Sequence, residues 1–141
     1  GIRIGCREPI LQAFDKYERE FFIDDRGFII EGVYNAIYLP VASGNIERSM
    51  AQKELLQIAL FLRDDDFWHH QIEQIYFTPE KEIILVPRIG NHTIEVGTIE
   101  NLDAKLDKLM KFYKDGLNKI GWNKYKKLNI EFENKVIGTK K

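Results

Sequence analysis

The sequence predicts an α+β domain, a largely antiparallel β-sheet with two packed α-helices. Three observations predict it. Residues 82–97 read as a β-hairpin. Residues 47–63 and 101–117 each carry one apolar stripe at helical spacing. The remaining apolar runs are short, bounded by turn residues, and continue to the end of the chain. The number of such runs gives a sheet of about seven to nine strands.

The hairpin is the clearest element. Ile83, Ile84, Leu85 and Val86 are four consecutive apolar β-formers, preceded by Pro79 and ended by Pro87. Such a run suits a strand buried on both faces, because prolines sit at strand limits and not within a central ladder. Arg88, Ile89, Gly90 and Asn91 supply the turn. His92, Ile94 and Val96 then alternate with Thr93 and Glu95, the period of a strand with one buried face, closing at Gly97.

The other elements follow in order. Residues 2–14 open with Ile2, Ile4, Ile10 and Leu11, and Cys6 reads as a small strand residue, since no second cysteine or basic partner marks a redox centre. Phe21, Phe22 and Ile23 face Phe28, Ile29 and Ile30 across Asp24-Asp25-Arg26-Gly27, a hairpin with Gly27 at a positive-φ position. Residues 34–41 read as a strand and Ala42-Ser43-Gly44-Asn45 as a loop. In the first helix Ala51, Leu55, Ile58, Ala59 and Leu62 share one face, with Ser49 as N-cap. Asp64, Asp65 and Asp66 oppose the dipole of a helix C-terminus, so the helix ends there or a short second turn begins. Residues 72–78 and 82–86 form strands around Pro79-Glu80-Lys81. The second helix buries Leu102, Leu106, Leu109, Met110 and Tyr113, with Asn101 as N-cap and Gly116 and Gly121 as stops. Leu128, Ile130 and Phe132 share a face of the next strand, Glu133-Asn134 turn, and residues 135–139 form the last strand.

Composition narrows the function classes. The chain has 141 residues, 44% hydrophobic and 30% charged, which suits one globular domain. Net charge is −1, so no global field draws it to nucleic acid. The charge is uneven: residues 1–100 carry 10 Lys/Arg and 17 Asp/Glu, net −7, while residues 119–141 carry 7 Lys and 2 Glu, net +5. One cysteine precludes an internal disulfide, and no apolar run approaches the roughly 20 residues of a membrane span. Gly1 reads as a cloning remnant and the chain as an excised fragment.

The order and spacing of these units resemble the extracytoplasmic region of the bacterial cell-division family FtsQ, also called DivIB. The resemblance rests on Val86-Pro87-Arg88-Ile89-Gly90, then Gly97, then Asn101-Leu102 with Lys105-Leu106 and Leu109. The ending NIEFENKVIGTKK looks like the family's closing hairpin, and Arg7-Glu8-Pro9 with residues 22–27 like its opening. The resemblance implies a curved sheet of the FtsQ β-domain kind over residues 9–141. It further implies that residues 1–8 are the last strand of a membrane-proximal POTRA domain. It implies a single N-terminal membrane helix in the whole protein, with this domain on the outer side of the cytoplasmic membrane and monomeric as a fragment. It also implies a non-enzymatic scaffold that binds FtsB/FtsL-like division proteins by strand addition at the C-terminal edge. Carried onto this chain, the contact residues are Phe132, Glu133, Asn134, Lys135, Val136, Ile137, Gly138, Thr139 and Lys140. Lys135 and Thr139-Lys140 stand where other lineages place glycine and an aromatic, so the expected contact is mainly backbone.

Two other function classes have candidate residues. A hydrolase could draw on His69, His70 and Asp64–Asp66, with Glu73 nearby. However, the spacing is not H-E-x-x-H and no nucleophile–base–orienter set can be assembled. A single-stranded nucleic-acid binder could stack bases on Trp122 and Tyr125 within the basic end, but Lys126 and Lys127 are adjacent and face opposite ways on a strand. No catalytic residue, cofactor or metal ligand is therefore assigned, and no nucleic-acid partner is expected.

Overall fold

A computed structural model describes residues 9–30, 39–88, 92–114, 125–131 and 136–140. In chain order the elements are β1 (Leu11–Phe14), β2 (Glu20–Ile23), β3 (Ile29–Ile30), β4 (Val41–Gly44), a 3-10 turn (Arg48–Gln52), α1 (Glu54–Asp64), α2 (Asp66–Gln71), β5 (Ile72–Phe77), β6 (Ile83–Pro87), β7 (Thr93–Gly97), α3 (Leu102–Phe112), β8 (Tyr125–Asn129) and β9 (Ile137–Lys140). The strands form one nine-stranded sheet in the order β3-β2-β1-β4-β5-β6-β7-β8-β9. This is the mostly antiparallel α+β fold that the sequence predicts. No helix of the described residues is long and apolar enough to cross a membrane.

Three neighbouring pairs are parallel: β1 with β4, β4 with β5, and β7 with β8. Parallel neighbours need a crossover, because a tight turn reverses the chain. The helices supply it, α1 and α2 between β4 and β5, and α3 between β7 and β8. Register aligns one apolar row across eight strands: Phe21, Ala13, Ala42, Ile75, Leu85, Ile94, Leu128 and Gly138. Every member but Gly138 is buried, in one core with Leu55, Ile58 and Leu62 of α1, Trp68 of α2 and Leu106 and Leu109 of α3. A second row on the opposite face runs Ser43, Tyr76, Ile84, Glu95, Asn129 and Ile137. Its members are half-buried or exposed.

Both hairpins predicted from turn chemistry form. Asp24 Oδ1 accepts the backbone N–H groups of Arg26 and Phe28 at 2.9 and 3.0 Å, and Gly27 takes φ +81°. This is an Asx turn, in which the carboxylate takes the place of a backbone acceptor. Residues 83–86 and 93–97 pair antiparallel. Residues 89–91 of their turn, residues 1–8 with Cys6, residues 34–38 of the expected strand, and Gly116, Gly121 and Trp122 lie outside the described residues.

The structure corrects three local readings. Residues 42–44 are not a loop, because they belong to the central strand Val41–Gly44; the loop begins at Asn45. Small residues look loop-like in sequence, yet here they are what close pairing requires: a Cβ on Gly44 (φ +102°) would lie 2.2 Å from the Phe77 carbonyl oxygen. Ser49 is no N-cap. It lies within the 3-10 turn, and Lys53 (φ −123°, ψ −108°) breaks the path before α1 starts at Glu54. The apolar stripe runs through this break, with Ala51, Leu55, Ile58, Ala59 and Leu62 all buried. Asn101 holds the N-cap position of α3 in the left-handed conformation (φ +56°), and its side chain makes no capping bond. Residues 11–14 form β1, held at its turn by the buried Asp15, whose Oδ1 accepts Tyr17 N–H at 2.9 Å and Arg19 N–H at 3.0 Å.

A buried polar knot joins α2, the start of β7 and α3. His92 Nε2 and Tyr113 Oη share a hydrogen bond of 2.7 Å, and the Trp68 and Tyr113 rings lie 5.6 Å apart. Burial holds the Tyr113 phenol well above the ordinary tyrosine range, and a hydrogen bond with Gln71 pulls the other way. A pKa raised in the folded state means that folding favours the neutral phenol. That stability is complete below the unfolded value of about 10 and is lost as pH rises through the folded value. The urea midpoint is therefore expected to fall above about pH 10. Tyr113→Phe should show a lower midpoint at neutral pH and a flatter alkaline limb. Parallel pH curves for parent and variant would contradict this assignment.

Candidate partner-binding edge

Among the described residues β9 is the last strand of the sheet order. A terminal strand leaves every second backbone N–H and C=O unpaired, and such a row templates another strand. Which residues carry the outward groups follows from the register. Ile130 N–H donates to the Glu95 carbonyl at 3.0 Å, so even-numbered residues of β8 point their amides at β7. Odd-numbered Lys127 and Asn129 then point at β9, where they oppose Thr139 and Ile137. Ile137 and Thr139 thus bond inward, and Gly138 presents its N–H and C=O outward. The same alternation turns the Val136 amide outward; at Lys140 it is broken by the register shift between Tyr125 and Lys127.

The helix behind this edge fixes β7 and β8 in place. Lys105 Nζ donates to the Val96 and Thr98 carbonyls at 3.0 and 3.1 Å, and Lys108 Nζ donates to the Ile130 carbonyl at 3.1 Å. Burial lowers the Lys105 pKa below the ordinary lysine range, while the Glu131 and Glu100 carboxylates raise it in part. At the end of β8, Asn129 Oδ1 accepts Glu131 N–H at 3.0 Å and Asn129 Nδ2 donates to Glu131 at 3.0 Å. Asn129 Nδ2 also reaches Glu95 Oε1 at 3.3 Å. These contacts make the β7–β8 pair a firm base for β9.

Of the residues assigned to the contact from sequence, Phe132, Glu133, Asn134 and Lys135 lie outside the described residues. Val136 is half-buried and packs against the core, while Ile137, Gly138 and Thr139 are exposed on β9. Ile137 is 41% exposed, large for an isoleucine in a sheet. Lys140 ends the strand and pairs with Tyr125. The last strand thus begins at Ile137, two residues later than the sequence suggests. The α3 lysines and the His92–Tyr113 bond escaped sequence reading. Long-range pairs such as these, 21 residues apart for His92 and Tyr113, leave no local pattern.

The alternative acid–base cluster is occupied by structure. Asp65 Oδ1 caps α2 by accepting Trp68 N–H at 2.9 Å, Asp64 pairs with Arg63 at 2.9 Å, and His70 Nδ1 lies 2.8 Å from the Asp66 carbonyl. The His69 and His70 rings meet edge to face at 5.0 Å, closer than adjacent helix positions suggest. Among the described residues no group of three or more His, Cys, Asp or Glu is placed to hold a metal ion. Lys126 and Lys127 are both exposed on β8, and Lys127 lies 3.8 Å from Glu95 on the open face.

No curated protein matches the chain significantly. The family model described as FtsQ/DivIB, C-terminal related, matches residues 8–139, nearly the whole sequence. The chain therefore belongs to the FtsQ/DivIB C-terminal-related family.

Proposed function

We propose that this domain binds partner division proteins outside the cytoplasmic membrane by accepting one of their strands at the free edge of β9. FtsQ/DivIB proteins are membrane-anchored, non-enzymatic cell-division scaffolds with an extracytoplasmic domain, which supplies the setting. The observation that carries the reading is the outward N–H and C=O of Gly138 on the last strand of the sheet. Strand addition takes its affinity from such main-chain groups and its specificity from alternate side chains, here exposed Ile137 and Thr139. The partners are of the FtsB/FtsL kind. In the whole protein this domain would follow the single N-terminal membrane helix and POTRA domain of the family.

The test is binding between the intact, tethered outer region and the outer segments of FtsB- and FtsL-like proteins from the same cell. Saturable one-to-one capture that is lost when residues 136–141 are deleted is the expected result. Capture that survives this deletion would place the contact elsewhere.

A further inference from the structure

The strand-accepting edge lies in the basic part of a chain that is otherwise acidic. Residues 119–141 carry 7 Lys and 2 Glu, against 10 Lys/Arg and 17 Asp/Glu in residues 1–100. The fold sets part of this charge beside β9. Lys126 and Lys127 are consecutive on β8 and both exposed, and the register against β9 shifts between Tyr125 and Lys127, which leaves Lys126 as the extra residue of a bulge. Lys127 pairs with Thr139 and Tyr125 with Lys140, so Lys140 closes β9 at the same end of the ladder. Both β8 lysines therefore stand beside the end of β9 that Lys140 closes. On the open face Glu95 offsets Lys127 in part, at 3.8 Å.

Charge on the strand next to the edge suits an acidic strand added in the plane of the sheet, which must pass along this rim. A strand added beyond β9 lies two strand spacings from β8, about 10 Å. That is close to the Debye length at ordinary ionic strength, so the lysines act on it as a local field, without direct contact.

We propose that the β9 edge selects an acidic extended segment, with consecutive carboxylates at the end lying beside Lys126 and Lys127. The inference rests on the reading that β9 accepts a strand. The acidic remainder of the chain repels such a segment from other surfaces and steers it to this rim.

The test uses the 141-residue chain and fluorescent peptides of alternating threonine and valine that end in three Glu, three Gln or three Lys. Each is made with the trio at either terminus, so that both strand directions are covered. At low salt the Glu peptide should bind about tenfold more tightly than the Gln peptide, and at high salt less than about twofold. The double variant Lys126→Glu, Lys127→Glu should abolish the preference and leave the Gln peptide's affinity unchanged. Equal affinities for the Glu and Gln peptides overturn the charge selection and leave strand addition standing. If no peptide binds, or if Val136→Pro leaves peptide binding intact, strand addition fails and the charge selection with it. Phosphatidylglycerol vesicles or single-stranded oligonucleotides binding more tightly than the Glu peptide, and released by the same double variant, would assign the lysines to those ligands and overturn the proposal.

Discussion

Val136→Pro should leave the domain folded and weaken partner binding by about 100-fold or more, whereas Ile137→Pro should break the β8–β9 pair itself. The two sites are neighbours and differ in direction. The Ile137 amide points at Asn129 within the sheet, and by alternation the Val136 amide points outward. Proline deletes a donor and inserts a ring where the neighbouring strand must approach, a cost of about 3 kcal/mol or more. At 1.4 kcal/mol per decade, that accounts for about a 100-fold loss of affinity at Val136. At Ile137 the same cost falls on folding and should appear as a lower thermal midpoint. Calorimetry and partner titration on both variants separate the cases. If both variants stay folded and bind like the parent, the β9 edge is not the contact.

Leu106→Ala should be the most damaging single truncation in α3. Leu106 is fully buried at the centre of the helix stripe, between Leu102 and Leu109. Removing a buried leucine side chain loses its transfer energy and leaves a cavity, together about 2–5 kcal/mol. In a domain of this size the thermal midpoint should fall by roughly 6–20 °C. Asp107→Ala, one residue on and exposed, should change stability by less than about 0.5 kcal/mol. A loss at Leu106 no larger than at Asp107 would show that α3 does not pack through this stripe. Because Lys105 and Lys108 on the same helix hold the ends of β7 and β8, Leu106→Ala should also weaken partner binding near its lowered midpoint.

The fold was legible where local pattern and burial agree. The α1 and α3 stripes, the Asp24–Gly27 turn and the β6–β7 pair all follow from periodicity and turn chemistry. Elements whose reason is a neighbour were not legible. Gly44 and Ala42 make β4 possible because β1 and β5 press on both sides, a fact invisible in residues 42–45 alone. Lys53 divides the first helix by a backbone choice that no side chain announces. The parallel pairs followed from crossover helices whose strand partners cannot be read from spacing. At the candidate edge, sequence order indicated a terminal strand. Which amides face outward needed the β7–β8 register, fixed by the Ile130–Glu95 bond.

The most direct measurement is amide hydrogen exchange on the 141-residue chain, alone and with a saturating amount of the outer segment of an FtsB-like protein. Strand addition predicts that the Gly138 amide, which faces away from β8, becomes strongly protected in the complex. The opposite edge at Ile29–Ile30 should exchange as before. A complex that forms with Gly138 exchanging at its free rate, and with new protection on α3 or β3, would contradict the account.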